Sequence, residues 1–375
     1  MVILSLAQIS SIFEGNLEKA HVLDIKDRNL DSVESLGCMK NLKRIVLDKN
    51  RLKSLEFLES NYSLSWISAQ YNILGPVLSK SYFYNLTNLS VLNLASNNIS
   101  NVEGIIESLP QLKVLILSNN LLTSIKGLGR LQQLETLVLS NNKLENFTSP
   151  QKPLIYLKKL SLSNNKLKHL CLNENVYNLR ELRLNENSLL QMPENLYYCG
   201  RLTILDLGKN KFNLNPKECI QQLRRCQKLS NVNLLGNTSI AQTDKEWDSF
   251  KDELSKHLPM LKIFNSRNLV KLCNAVRRKK NLVINEKDKS LKKKIKQDPA
   301  ASLIMEPCNK TKKTSGDQKS SEGKKERKDK NAIEAMITNI QCCKDTPKVD
   351  SVFFSKNNLI YDYLNNKSAV HSWNE

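Results

Sequence analysis

The feature that most constrains this chain is a hydrophobic pattern that repeats every 22 residues. Between Leu112 and Leu144 the pattern L-x-x-L-x-L-x-x-N-x-L occurs twice, and Asn120 and Asn142 occupy the same position in the two passes. A fixed period of this length indicates that one short structural unit is stacked on the next. Nine of ten passes carry the asparagine, at Asn50, Asn72, Asn97, Asn120, Asn142, Asn165, Asn187, Asn210 and Asn237.

Each pass resembles the leucine-rich repeat, in which the L-x-L pair forms a short strand whose leucines point into the interior. The residues around the pair then point to the opposite, concave face. Most passes have 22 or 23 residues, which favours 3₁₀ turns over full helices on the convex side. The sequence therefore predicts a curved, right-handed α/β solenoid of about ten leucine-rich repeats, with a parallel concave sheet. The asparagines are predicted to satisfy backbone groups at the turns, each contributing on the order of 1–3 kcal/mol.

Shifts in composition and capping signals predict how the chain is divided. Asn215-Pro216 predicts a true helix inside the long ninth repeat, and the capping box Thr243-Asp-Lys-Glu246 predicts another helix after the tenth. The predicted segments are an N-terminal capping helix (1–19), the repeats (20–241), a C-terminal cap (242–267), a basic disordered tail (268–330) and a last segment that can form short helices (331–375).

Residues 20–265 resemble the short-repeat leucine-rich family typified by the nuclear regulatory subunit of protein phosphatase 1. Ciliary dynein light-chain and spliceosomal leucine-rich proteins extend that family. The resemblance rests on the repeats and on Thr243 to Phe264, and it implies a closing cap of helix and strand. It also implies an interaction module, with regulation of a phosphatase as one candidate role. The basic tail is similar to that of nuclear or nucleolar members.

The formal charge of +20 is concentrated after the repeats. Residues 271–330 hold about 20 Lys and Arg against about eight Asp and Glu, a net of roughly +12. Two clusters have the spacing of a two-part nuclear import signal: Arg277, Arg278, Lys279 and Lys280, then Lys292, Lys293 and Lys294. The same cations would also attract the phosphates of RNA or a ribosome, without sequence preference because no aromatic residue is interleaved. A solvated tail without a partner is the third interpretation.

The nine cysteines are scattered and odd in number, which favours a reducing compartment. The start of the chain lacks the basic region of a signal peptide, and no apolar run has the length of a membrane span. We therefore predict the nucleus, the nucleolus or the cytoplasm, without secretion or membrane insertion. Motifs for phosphate loops, nucleophile elbows and paired C-x-x-C are absent, so we predict no enzyme, cofactor, metal or small-molecule substrate.

Candidate binding residues follow from the strand positions on the concave face. An apolar stripe with a charged rim suits a protein interface. The stripe comprises Trp66, Val91, Val114, Ile116 and Val138, joined by Tyr71, with Arg44, Lys159 and Arg183 as its charged flanks. Strand propensity alone also explains the valines, whereas tryptophan is an enriched interface anchor. The leading hypothesis is a monomeric intracellular adaptor that binds a protein on this face. The alternatives are an RNA- or ribosome-associated protein and a regulator of protein phosphatase 1.

Overall fold

The structure, a computed structural model, describes residues 2–12, 16–148, 152, 154–172 and 176–269. These residues confirm the predicted leucine-rich repeat solenoid, whose main sheet has twelve strands. The basic clusters at 277–280 and 292–294, and the segment predicted to form short helices, lie outside the described residues. Their predicted structure and roles stay predictions.

The main sheet contains one short strand from each repeat. Its strands, in spatial order, are β2 (Val22–Asp24), β4 (Arg44–Val46), β5 (Trp66–Ser68), β6 (Val91–Asn93), β7 (Val114–Ile116), β8 (Thr136–Val138), β10 (Lys159–Ser161), β12 (Glu181–Arg183), β13 (Ile204–Asp206), β14 (Asn231–Asn233), β15 (Ile263–Phe264) and β16 (Arg267–Asn268). Neighbours are parallel except the last pair, β15 and β16. Two small parallel sheets lie outside the predicted concave sheet: β1 (Ile3–Leu4) with β3 (Ser32–Val33), and β9 (Asn146–Thr148) with β11 (His169–Cys171).

Columns of leucine fill the core between this sheet and the convex side. Leu115 and Leu117 have no exposed area, and Leu137 and Leu139 lie directly beside them in the next repeat. Full burial of such a side chain contributes about 1.5–3 kcal/mol to folding. Because each repeat can cover its apolar residues only by contacting its neighbours, the fold depends on stacking.

The asparagine ladder has the role predicted for it. Asn142 Nδ2 donates to the carbonyl oxygens of Leu117 and Leu139, both at 2.9 Å, and Asn142 Oδ1 accepts from Leu122 N at 3.1 Å. Leu117 and Leu122 belong to the preceding repeat. All nine ladder asparagines are buried. Each therefore ties one repeat to the repeat before it.

The convex side carries short helical turns, because 22 or 23 residues leave little room for more. Four α-helices are described: α1 (Leu6–Ile12), α2 (Glu103–Ser108), α3 (Pro216–Leu223) and α4 (Asp244–His257). Five 3₁₀ turns span Leu17–Lys19, Glu56–Leu58, Lys80–Tyr82, Leu128–Arg130 and Leu196–Tyr198. Helix α3 begins at Pro216 with Asn215 as its N-cap, as the sequence predicted.

The C-terminal end of the sheet is closed by α4 and two strands. Thr243 Oγ1 accepts from Glu246 N at 3.3 Å and the Glu246 carboxylate accepts from Thr243 N at 3.2 Å, which confirms the predicted capping box. Trp247 and Phe250 of α4 are buried with Phe264 of β15, and the rings of Phe250 and Phe264 stack at 5.9 Å. This aromatic cluster covers the apolar end of the core.

Candidate protein-binding face

The concave face is the face of the main sheet opposite the core, and two rows of side chains form it. The first row contains the residues that begin strands β4 to β13: Arg44, Trp66, Val91, Val114, Thr136, Lys159, Glu181 and Ile204. The second row contains the residues that end the same strands: Val46, Ser68, Asn93, Ile116, Val138, Ser161, Arg183 and Asp206. Neighbours within a row are paired in register.

The apolar middle of this face is more tightly packed than the sequence pattern predicted. Val91, Val114, Ile116 and Val138 are only 9%, 3%, 8% and 3% exposed. Adjacent strands lie about 4.8 Å apart, so branched side chains in register cover one another. The expectation of an exposed stripe is corrected for these four residues. Their part in binding a partner stays a prediction.

Two large apolar side chains of the first row remain partly accessible, Ile204 and Trp66. The guanidinium carbon of Arg44 lies 3.9 Å from the centroid of its ring, a cation–π contact between neighbouring strands. Tyr71 lies in the turn after β5, where its φ is 57°, and it is 46% exposed. Its part in the predicted stripe stays a prediction.

The charged flank at β10 and β12 is partly neutralised by an acidic residue that was not among the predicted site residues. Glu181, whose side chain is only 8% exposed, lies 2.6 Å from Arg183 Nε and 3.7 Å from Lys159 Nζ. Its place is readable from the repeat spacing, because residue 181 follows residue 159 by one period of 22. Two cations assigned to the rim thus share an acid of the same face.

Asp206 adds a second carboxyl group to this flank. Burial raises its pKa, while hydrogen bonds from Gly208 N and Asn233 Nδ2 and the charge of Arg183 act in the opposite direction. Asn233 Nδ2 donates to Asp206 Oδ1 at 2.8 Å. The β12–β13 part of the face is therefore polar and hydrogen-bonded, in contrast to the apolar middle.

A further row of residues borders the face where the chain enters each strand. We call it the edge row: Lys43, Ser65, Ser90, Lys113, Glu135, Lys158 and Arg180. Each member's amide donates to the carbonyl of the member before it, at 2.8 or 2.9 Å, so the residues are stacked one per strand. Lys158 Nζ lies 2.7 Å from the Glu135 carboxylate. Lys43 and Lys113 were not among the predicted site residues, because they lie outside the L-x-L pair.

The part of the chain that the structure describes contains no group of three or more His, Cys, Asp or Glu residues placed to hold a metal ion. Burial raises the pKa of Cys199 and Cys219 to about 12 and that of Cys226 to about 11, so these thiols are protonated near neutral pH. The longest described helix, α4, has 14 residues and is largely polar, and no described helix has the length and apolarity of a bilayer span.

Comparisons with known proteins agree with this architecture. Residues 76–122 and 87–144 match the family described as leucine rich repeat. No curated protein matches the sequence. Among solved structures, an internalin (InlF) from Listeria monocytogenes is 17% identical with a TM-score of 0.50, and the match covers 64% of this chain and 74% of the internalin.

Two further solved structures share the fold. The functional domain of InlJ from Listeria monocytogenes is 18% identical with a TM-score of 0.52, covering 65% of this chain and 52% of InlJ. The mouse RP105/MD-1 complex contains a chain that is 24% identical with a TM-score of 0.50, covering 65% of this chain and 45% of that one. This chain thus spans about half the length of these two relatives, and such identities show the fold alone. The repeats, the asparagine ladder and the family match over residues 76–144 together show that this chain has the leucine-rich repeat fold.

Proposed function

We propose that this chain is a non-enzymatic adaptor that acts as a monomer and holds a protein partner on its concave face. Leucine-rich repeat proteins typically act in protein–protein interaction, and the mouse RP105/MD-1 relative is itself a complex. The observation that carries the proposal is the partly accessible Trp66, held by Arg44 beside a packed apolar wall. A rigid aromatic anchor in such a setting is typical of interface hot spots.

The test is a quantitative pull-down with the full chain carrying Trp66→Ala. The matched control is Tyr177→Ala, an exposed aromatic residue on the turn before β12. Loss of a hot spot costs about 2 kcal/mol or more, so the principal partner should be captured at least about tenfold less by the Trp66 variant. Equal capture by the two variants, at equal thermal stability, would reject the concave site.

We propose a nuclear location from the two basic clusters. Their support is the sequence alone, through the spacing between Arg277–Lys280 and Lys292–Lys294. A fluorescent reporter fused to residues 268–330 should accumulate in the nucleus of cultured cells. The control replaces the seven clustered cations with glutamine. A wild-type fusion that stays in the cytoplasm would remove the basis for this location.

The second candidate function is association with RNA or ribosomes through the tail. The net charge of roughly +12 over residues 271–330 favours it. The full chain should then bind a single-stranded RNA with an affinity that falls steeply as salt rises, and with little preference for sequence. Binding that is absent, or that salt leaves unchanged, would dismiss this function.

Regulation of protein phosphatase 1 is a third candidate, supported by the family resemblance of the repeats and cap. It predicts a complex between the full chain and the catalytic subunit of that phosphatase, weakened by Trp66→Ala. Size-exclusion chromatography of the two purified proteins at micromolar concentration tests it. Elution as two separate species would exclude this role.

A further inference from the structure

Four cations on one side of the concave face have no acidic partner among the described residues: Lys43, Arg44, Lys113 and Arg180. The neighbouring cations differ, because Lys158 is paired with Glu135, and Lys159 and Arg183 share Glu181. Three of the four unpaired cations belong to the edge row and the fourth, Arg44, begins β4. The edge row therefore keeps cations without an acidic partner, whereas Lys159 and Arg183 on the face share the Glu181 carboxylate.

The unpaired cations of the edge row are regularly spaced. Lys43, Lys113 and Arg180 precede β4, β7 and β12, which lie three strands apart in the main sheet. Strands are separated by about 4.8 Å, so successive cations are about 14 Å apart. An extended peptide rises about 3.4 Å per residue, and a peptide crossing the strands would meet one cation at about every fourth residue.

The contact between Arg44 and Trp66 leaves a specific donor set unused. The guanidinium lies over the indole ring, with 3.9 Å from its central carbon to the ring centroid. A guanidinium over a ring still presents its N–H groups at the edge, in a fork that matches a carboxylate. The indole beside it offers apolar contact, so an acidic side chain next to an apolar one suits this position.

The chemistry of the face distinguishes among occupants. Residues 271–330 of this chain are strongly basic, so charge repulsion opposes their lying on the edge row. A nucleic acid carries a phosphate about every 3.4 Å of each strand, far denser than cations about 14 Å apart. Binding of single strands also uses open aromatic faces, but Arg44 already covers one face of Trp66. Sparse carboxylates on a protein segment fit better.

We propose that the concave face takes an extended acidic segment of a partner protein. Its carboxylates pair with Lys43 and Arg44, with Lys113 and with Arg180, and an apolar side chain near its first acid contacts Trp66. This inference rests on the proposed adaptor function and specifies its partner. It differs from the stripe expected from the sequence, because the recognition charge lies in the edge row.

The test measures fluorescence anisotropy of a labelled synthetic peptide with the full chain. The probe has about 13 residues, with glutamate at every fourth position, one phenylalanine after the first glutamate, and serine elsewhere. A reversed-sequence peptide allows for the opposite direction, and a matched peptide carries glutamine in place of glutamate. The glutamate probe, in one direction, should bind at least about tenfold more tightly than its glutamine counterpart.

Two triple variants with the same change in net charge locate the contact. One carries Lys43→Glu, Lys113→Glu and Arg180→Glu on the edge row, and the other carries Lys279→Glu, Lys280→Glu and Lys293→Glu outside the described residues. The edge-row variant should bind the glutamate probe at least about tenfold more weakly, and the second variant within about twofold of wild type. A probe with lysine in place of glutamate should regain binding to the edge-row variant.

Other outcomes overturn the inference. Equal losses in the two triple variants would mean that the probe senses only net charge or the basic tail. A single-stranded RNA that depends on the edge row more strongly than the peptide does would make nucleic acid the occupant. If the edge-row variant has a lower melting temperature than wild type, a milder triple variant replaces it, with Lys43→Gln, Lys113→Gln and Arg180→Gln. If this variant binds the glutamate probe as tightly as wild type does, the proposed contact with the edge row is rejected. The pull-down and the peptide assay can also disagree. If capture of the partner requires Trp66 but peptide binding does not depend on the glutamates, this inference is rejected and the proposed adaptor function is retained.

Discussion

Each ladder asparagine joins two repeats through one amide group, so its energetic role exceeds that of a turn residue. The acceptors and the donor that it pairs are main-chain groups buried at the junction between repeats. Such groups cannot reach water, and leaving them unpaired costs free energy at every junction. The recurrence of asparagine, where the leucine positions tolerate substitutes, follows from this geometry.

We predict that Asn142→Ala lowers the free energy of unfolding by about 1–3 kcal/mol, because three main-chain groups lose their partner. The matched control is Lys143→Ala in the same turn, where the side chain is exposed. Denaturant unfolding of the full chain, followed by circular dichroism, measures both. Similar losses in the two variants would show that the buried amide contributes little.

A second prediction at the scale of single residues concerns the reactivity of the buried cysteines. With a pKa of about 12, the thiolate fraction of Cys199 and Cys219 at pH 8 is on the order of 10⁻⁴. Iodoacetamide should therefore label these residues and Cys226 only after denaturation, whereas the half-buried Cys38 reacts in the native chain. Mass spectrometry of tryptic peptides gives the extent of labelling. Rapid native labelling of Cys199 would contradict the burial.

At the scale of elements, the two capping boxes decide where helices start. Asn215 and Thr243 each accept from the amide three residues later, and Glu218 and Glu246 accept in return from the cap. In most repeats the convex segment is too short for a capped helix. True helices on the C-terminal side therefore occur at α3, in the lengthened ninth repeat, and at α4, beyond the last repeat.

Glu246 gives the cap a dependence on pH. Hydrogen bonds from Gln242 N and Thr243 N lower its pKa below the ordinary 4.5. A carboxyl whose pKa falls on folding stabilises the fold above its unfolded pKa, and this contribution disappears as pH falls through the folded value. Glu246→Gln should thus destabilise the chain at pH 7, and the difference from wild type should shrink below pH 4.5.

Denaturant unfolding at several pH values measures that difference. Lys245→Ala, one residue away on the same helix turn, provides the control because its side chain takes no part in the capping box. A gap between Glu246→Gln and wild type that grows as pH falls would contradict the assigned direction.

At the scale of the whole molecule, a sheet built only from neighbouring strands predicts graded stability. The first strand, β2, has one neighbour and leaves Val22 and Asp24 exposed, whereas β7 and β8 lie between other repeats. Local opening of a solenoid starts at its ends, because terminal repeats contact one neighbour only. Amide hydrogen exchange should therefore show protection at least about tenfold higher in β7 and β8 than in β2. Uniform protection would indicate that the repeats open as one cooperative unit.

Much of the fold of this protein was predictable from the sequence alone. The period of 22 determined the L-x-L strands, their register and the ladder asparagines, since a leucine can be buried in a stack only if its equivalent recurs at the same place. Capping boxes at Asn215 and Thr243 were readable because their contacts are local in sequence. The same periodicity identified Trp66 as a concave residue.

Only the tertiary structure decided which concave residues are available to a partner. The burial of Val114, the pairing of Glu181 with Lys159 and the lack of an acidic partner for Lys113 among the described residues all depend on side chains one repeat away. A sequence pattern states which face a residue occupies. Accessibility and charge pairing are set by packing and distance between neighbouring strands, so they emerge only once the repeats are stacked.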